Sequence, residues 1–238
     1  MVTKNQIKLV VSLKQKKYRS QHGLFVVEGE KTVNELLQWG LKPFKLFVDD
    51  SLNAEGFKGY ELVSKTLLKQ MSSLTNPSGV LGVFFMPEAK KNEDSDWMVA
   101  LDAVRDPGNL GTIIRLCDWF GVKQLICSED TVDCYNPKVL QATMGSIARV
   151  NIIYTNLEAY LKNTTVSVYG AFMDGEPVYD QKLPSNGILV MGNEANGISK
   201  EVSALITERI SIPQFGEITT ESLNVATATA ILLNEVRR

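Results

Sequence analysis

The sequence has one histidine, three cysteines in 238 residues, and no apolar run near the roughly 18 residues that a membrane-spanning helix requires. Each scarcity removes a class of function. His22 stands alone in a polar, basic segment, so neither a histidine-centred acid–base scheme nor a Ser-His-Asp triad is expected. Cys117, Cys127 and Cys134 form no C-x-x-C pair and have a single imidazole to share, which argues against a zinc site; no metal is expected. An odd cysteine count without a secretion signal fits a reducing cytosol. In that compartment the Asn163-Thr164-Thr165 sequon carries no glycan. Internal repeats and low-complexity tracts are absent too.

What is present is a globular composition, 44% hydrophobic and 22% charged, sufficient for a buried core. The length fits one large domain, or a small one joined to a medium one. A net charge of −2 argues against a protein that coats nucleic acid over its whole surface. The charge is uneven, however: Lys4, Lys8, Lys14, Lys16, Lys17 and Arg19 all precede the first carboxylate side chain, Glu28. A solvated amphipathic helix and a local phosphate-contacting patch both account for this opening.

The polar run "EAKKNEDSD", near residues 88–96, lacks hydrophobic periodicity and reads as a linker between domains at 1–92 and 97–238. Before it, "GLFVVEG", "FKLFVDD", "YELVS" and "GVLGVFF" read as strands, with helices at "EKTVNELLQWG" and "SKTLLKQMSSL". After it, "WMVALDAV", "KQLICSE", "RVNIIYT", "SVYGAFM", "GILVMG" and "ERISIP" read as strands. They alternate with helices at "GNLGTIIRLCDWFG", "NPKVLQATMGSIA", "NLEAYLKN", "SKEVSALIT" and from about Leu223. This alternation predicts an α/β fold, a small α/β module followed by a mostly parallel sheet covered on both faces.

In such sheets ligands sit at the carboxyl ends of the strands. Three loops expected there are rich in Gly, Asn and polar groups: "RDPGNLGTIIR", "GNEANGIS" and "IPQFGEITTESLNVA". The second comes close to the phosphate-binding pattern G-x-x-x-x-G-K-[ST], with Gly192, Gly197 and Ser199 in place and Ile198 where the lysine belongs. Taken singly the loop residues have structural readings. Asn109 stands where a helix N-cap belongs, Ser222 is a second candidate cap, and Glu194 fits a surface carboxylate. Arg115, four residues after Gly111, reaches either the loop end of the sheet or solvent.

Taken together and in this order, "NLGTIIR", "GNEANGIS" and "IP…SLNVA" resemble the three motifs of the SpoU (TrmH-like) RNA ribose 2'-O-methyltransferases of the SPOUT superfamily. The stretch "KKYRSQHGLFVVEGEKTVNELLQWG" is similar to the start of the ribosomal-protein-type RNA-binding domain that many of these enzymes carry. The resemblance implies a deep trefoil knot in the second domain, S-adenosylmethionine bound in it, and a homodimer with the site near the interface. It assigns the reacting centre to Arg115, with Asn109, Glu194, Ser222 and Asn224 around it. Cofactor contacts are implied at Met191, Gly192, Gly197, Ile212, Pro213 and Leu223, and RNA contacts at Lys14, Lys16, Lys17 and Arg19.

Two roles are open to Arg115: a transiently deprotonated base, or a cation that grips a phosphate and stabilises a developing alkoxide. The family's third motif usually reads I-P-M, whereas Gln214 follows Pro213 here, and the segment from Gly216 to Ser222 is about two residues longer. Ribosomal RNA is the favoured substrate, because tRNA enzymes of the family tend to carry helical extensions at both ends. The same reaction on tRNA and a non-catalytic RNA-binding relative are the alternatives. A nucleotide hydrolase would require the missing lysine and a metal-binding carboxylate such as Asp102.

Overall fold

A computed structural model describes residues 2–52, 58–88, 96–216 and 222–238. The linker at 89–95 and the additional residues at 217–221 lie outside them. Two compact units emerge, Met1–Glu88 with Asp133–Ala148, and Ala89–Val132 with Arg149–Arg238. The segment Asp133–Ala148 therefore groups with the first unit, an arrangement that a single cut in the sequence cannot express.

The first unit opens with α1 (Lys4–Ser12) and α2 (Lys16–His22), followed by β1 (Leu24–Glu28), α3 (Glu30–Gln38), β2 (Pro43–Asp49), β3 (Tyr60–Val63), α4 (Lys65–Met71) and β4 (Val80–Phe85). Its described strands form a sheet in the order β1-β4-β2-β3, antiparallel except for β2 and β3. Thr3 and Gln6 close a capping box on α1, which satisfies N–H groups that a helix start leaves open. The basic opening is two helices rather than one. Arg19 takes the carbonyl oxygens of Leu13 and Lys14, each at 2.9 Å, the acceptors that a continuous helix would use. Val10, Leu13, Leu24, Phe47, Leu68 and Leu81 build the core, each worth roughly 1.5–3 kcal/mol on full burial.

Arg19 is 3% exposed and also pairs with Asp133. It is thus a structural cation within this unit and offers no guanidinium to an RNA phosphate. Lys14 donates to the Ser72 carbonyl at 2.6 Å, whereas Lys16 and Lys17 are exposed. Removing one partner of a buried pair strands the other, at about 3–5 kcal/mol. Arg19→Ala is therefore expected to lower the melting temperature by about ten degrees. A thermal unfolding midpoint within about two degrees of the parent would exclude this role.

The second unit runs β5 (Trp97–Leu101), α5 (Pro107–Trp119), β6 (Gln124–Ser128), then, beyond α6 (Pro137–Thr143) of the first unit, β7 (Asn151–Thr155), α7 (Leu157–Lys162), β8 (Val168–Pro177), β9 (Gly187–Met191), α8 (Lys200–Ser203), β10 (Glu208–Ser211) and α9 (Val225–Val236). The strands form a parallel sheet in the order β10-β8-β9-β5-β6-β7. The central strands β5 and β9 are buried at every position, as a sheet covered on both faces requires. Chain order reverses between β5 and β9, and such a switch point is where open α/β sheets bind ligands.

Two helices are shorter than their sequence patterns. Met144 adopts a left-handed conformation at φ 51° and stops α6. The stretch after Ser203 leaves α8 because Thr207 joins β8, its N–H donating to the Val168 carbonyl at 2.9 Å. All three cysteines are buried, and burial pushes the Cys117 thiol up to about 12, which keeps it protonated and inert. No helix among the described residues is long and apolar enough to cross a membrane.

Candidate functional site

The site grows from the loops at the carboxyl ends of β5 and β9. Beyond β5, Asp102 accepts the Ser199 N–H at 2.7 Å, tying the two loops together. Ala103 stands in the left-handed region at φ 55°, uncommon for a residue with a Cβ. Partners on both sides hold it: its N–H donates to Ser128 Oγ at 2.8 Å and its carbonyl accepts from Asn193 Nδ2 at 2.6 Å. Backbone strain fixed in this way is typical of functional loops.

Asp106, not Asn109, caps α5: its carboxylate accepts the Asn109 N–H at 2.8 Å, and Pro107 occupies the first turn. The Asn109 side chain is thereby released for another task. Leu110, Ile113, Ile114 and Cys117 form the buried stripe of α5, while Gly108, Thr112, Arg115 and Trp119 form an exposed one.

Beyond β9, Gly192 cannot carry a side chain. A Cβ there would stand 2.2 Å from the Gly197 carbonyl carbon and 2.3 Å from the Ile198 nitrogen. Asn193 and Gly197 pair through two backbone hydrogen bonds of 2.9 Å, and Gly197 turns the chain at φ 67°. The Asn193 Oδ1 also accepts from the Ala195 and Asn196 N–H groups at 3.0 and 3.1 Å. The result is a small closed loop that presents Glu194 toward the start of α5.

Three side chains then meet. Glu194 Oε1 accepts from Asn109 Nδ2 at 3.0 Å, and Asn109 Oδ1 accepts from Asn224 Nδ2 at 2.9 Å. The Asn224 Oδ1 caps α9, accepting from Ala226 and Thr227 at 2.9 and 3.2 Å. This relay has one possible polarity. A carboxylate only accepts and helix N–H groups only donate, so both amides between them are oriented from the two ends. Burial would raise the Glu194 carboxyl, but the Asn109 amide and the backbone N–H groups of Glu194, Arg105 and Asp106 hold it below its ordinary value of 4.5. At neutral pH it is a carboxylate.

Asn109, Glu194 and Asn224 are thus brought together across 85 and 115 residues of sequence. Arg115 is exposed and makes no hydrogen bond or ion pair with a described residue. It lies six positions after Asn109, about 120° around the helix. Ser222 is exposed in the segment leading to α9, whose cap is Asn224. Asp102 holds the Ser199 backbone, a role unlike that of a metal-binding carboxylate. Sequence reasoning gives Asp106 only a turn with Pro107 and overlooks Asn193; an Asn or Asp one or two residues before a turn is the signal available for such roles.

Met191 is buried, Gly192, Ile212 and Pro213 are half-buried, and Gly197 and Leu223 are exposed. Between Gly192 and Ser199 no side chain is cationic, so the loop suits a ligand without a polyphosphate. Gly192 is required by the loop's own backbone, which packs against it, and the half-buried Ile198 packs on the core cluster of Met98, Ala100, Ile188 and Val190.

The SpoU rRNA Methylase family matches residues 96–234, and the MRM3-like substrate binding domain matches residues 4–82. The chain is 32% identical over 244 residues to RlmP of Bacillus subtilis, a 23S rRNA (guanosine(2553)-2'-O)-methyltransferase, covering 98% of this chain and 97% of that one. It is similar to a solved TrmH-family protein of Porphyromonas gingivalis, with 39% identity and a TM-score of 0.91 over 100% of this chain and 98% of that one. An AdoMet-bound rRNA methyltransferase from Sinorhizobium meliloti follows, with 30% identity and a TM-score of 0.86 over 100% and 95% of the chains.

Proposed function

The chain belongs to the SpoU rRNA methylase family, and on that premise we propose that it transfers a methyl group from S-adenosylmethionine to a ribose 2'-hydroxyl of structured RNA, ribosomal RNA in the first place. The observation that carries this reading is the Glu194–Asn109–Asn224 relay, which joins all three motif loops at the switch point of the sheet. The unit matched as an MRM3-like substrate binding domain supports ribosomal RNA over tRNA, with RNA contacts from Lys16 and Lys17 and a place for Lys14 at their border.

Bound S-adenosylmethionine supplies an electrophilic methyl group on a sulfonium. The main chain at Met191, Gly192, Gly197, Ile212 and Pro213, together with Leu223, would hold it. The chain itself must position the ribose oxygen and manage its proton; positioning alone supplies a large share of the barrier reduction. Glu194, ionised and fixed by four donors, orients the sugar side of the site. Asn109 and Asn224 keep it in place, with Ser222 two residues before Asn224. Arg115 supplies the charge at the reacting centre.

Two further features of the family fit the chain. β10 is at one edge of the sheet, yet Asn224 reaches Asn109 at the start of α5. The end of β10 and the start of α9 thus stand about three strand spacings, roughly 14 Å, apart across the sheet, a displacement that supports a trefoil knot. Trp119 is 84% exposed on the stripe that carries Arg115. An aromatic so placed supports a homodimer packed on this face, which would also bridge the angular gap between Arg115 and Asn109. We place the enzyme in the cytosol.

A tritiated donor offered to RNA from a strain lacking the protein tests the reading, with mapping of the labelled ribose. Label in ribosomal RNA is expected; label in tRNA alone would move the substrate class, and none, with donor binding demonstrated, would refute the activity. Asn224→Asp tests the relay. Aspartate still caps α9 and complements its dipole, but turns an acceptor toward Asn109 Oδ1. Transfer is expected to fall about tenfold for the loss of one hydrogen bond of about 1.5 kcal/mol, while the retained cap limits the fall in melting temperature to about five degrees. Unchanged transfer would show the relay to be dispensable.

A further inference from the structure

The first unit carries an aromatic cluster that neither its core nor the relay uses. Phe44 and Phe85 are 40% and 38% exposed, and their rings meet edge to face with centroids 5.7 Å apart at 87°. The Lys42 ammonium lies 5.3 Å from the centroid of the Phe85 ring. Trp39, 58% exposed, ends the helix that leads into this turn. Single exposed aromatics are ordinary, whereas a cluster with a cation on it suggests a ligand.

The backbone around Phe44 departs from a regular ladder. Pro43 pairs with Phe84 and Lys45 with Val83, so Phe44 is an extra residue in β2 with no partner in β4. A bulge of this kind re-aims a side chain. The Phe85 N–H donates to the Lys42 carbonyl at 3.1 Å, holding the two backbones side by side so that the Lys42 side chain can reach the ring. Strand directions then relate the cluster to the basic opening. β1 begins at Leu24, paired with Phe85 at the end of β4, and β2 begins at Pro43. The first residue of β1 follows α2 and its cap Gly23 directly, so the helix bearing Lys16 and Lys17 arrives at the same end of the sheet.

From this arrangement we propose that Phe44 and Phe85, with Lys42, form a stacking platform for an unpaired base of the substrate RNA. The inference rests on the reading that this unit binds RNA. Every base has a flat face, and aromatic side chains next to lysines hold unpaired bases by stacking while the ammonium groups follow the phosphates. A duplex keeps its bases stacked inside and offers the platform nothing. The lysines of α2 serve paired and unpaired RNA alike, through phosphate charge.

Fluorescence anisotropy on the full chain separates these roles, using a labelled hairpin RNA with a wide unpaired loop and a blunt duplex of the same stem. The double variant Phe44→Ala/Phe85→Ala is expected to lose about tenfold in affinity per ring for the loop RNA, and little for the duplex. Phe44→Tyr/Phe85→Tyr should restore loop binding. Lys16→Ala/Lys17→Ala should weaken both RNAs and flatten the salt dependence. Donor affinity, unchanged in all of them, and a melting temperature lowered by no more than several degrees in the alanine variant report an intact fold. If the parent binds RNA and the alanine variant binds the loop as well, or loses both RNAs equally, the platform is wrong and the RNA-binding reading stands. If the parent binds neither RNA, both fail. A change in sedimentation from dimer to monomer in the alanine variant would make the patch a contact between copies and overturn the proposal.

Discussion

Arg115→Ala is expected to lower methyl transfer by about a thousandfold, the scale of removing one group that stabilises developing charge, while donor affinity stays within about twofold. The side chain is exposed on α5 and bonds to no described residue, so its loss should leave the structure intact, and a fall in transfer would report on chemistry. Single-turnover transfer measured beside calorimetric donor binding gives both quantities. Lysine at the same position separates the two roles left open by the sequence. Its ordinary pKa near 10.4 makes it the easier base, whereas it lacks the planar fork that grips a phosphate. Recovery of transfer on raising the pH of the Arg115→Lys enzyme would mark Arg115 as a base. A loss that persists at every pH would mark it as a gripping cation. Full activity in Arg115→Ala would take the residue out of the reacting centre altogether.

The second large effect is expected in donor affinity. Gly192→Ala brings a Cβ within 2.2 Å of backbone atoms that pair across the closed loop. No rotamer relieves this, because both colliding partners are main chain. Overpacking of this kind costs about 1–3 kcal/mol, and the affected backbone is the one assigned to the donor. Donor affinity is therefore expected to fall between about fivefold and a hundredfold, with RNA affinity unchanged. Titration of the donor into parent and variant measures it, and equal dissociation constants would remove the loop from the donor site. The two substitutions thus divide the reaction, one through rate and the other through binding.

The strands and most helices are readable from the sequence because their apolar residues recur at periods of two and 3.6. The buried runs at β5 and β9 and the stripe Leu110, Ile113, Ile114 and Cys117 are examples. Apart from the left-handed Met144, local pattern failed where a hydrogen bond that no periodicity records had intervened. Thr207 left its helix for β8, and Arg19 divided the opening helix by taking two carbonyl oxygens. Arg19 also shows why composition misleads: a cation among lysines is drawn to Asp133, 114 residues away, a pairing without any local signal. Glycines 192 and 197 stood out in the sequence, but only coordinates distinguish a glycine required for space from one required for its turn. Asn109 and Asn224 were visible as motif letters, and their mutual contact was not.

That contact also has a meaning in time. The relay needs Glu194, Asn109 and the N-terminal turn of α9 together. A nascent chain grown only as far as Gly216 has made both earlier loops and lacks the amide that orients them. Chains fold from the N-terminus as they are synthesised, at about 5–20 residues per second. The first unit is complete once Ala148 has been made, some tens of residues and therefore several seconds before Asn224 completes the relay; on the proposed reading, the surface for RNA is in place before the site that modifies it.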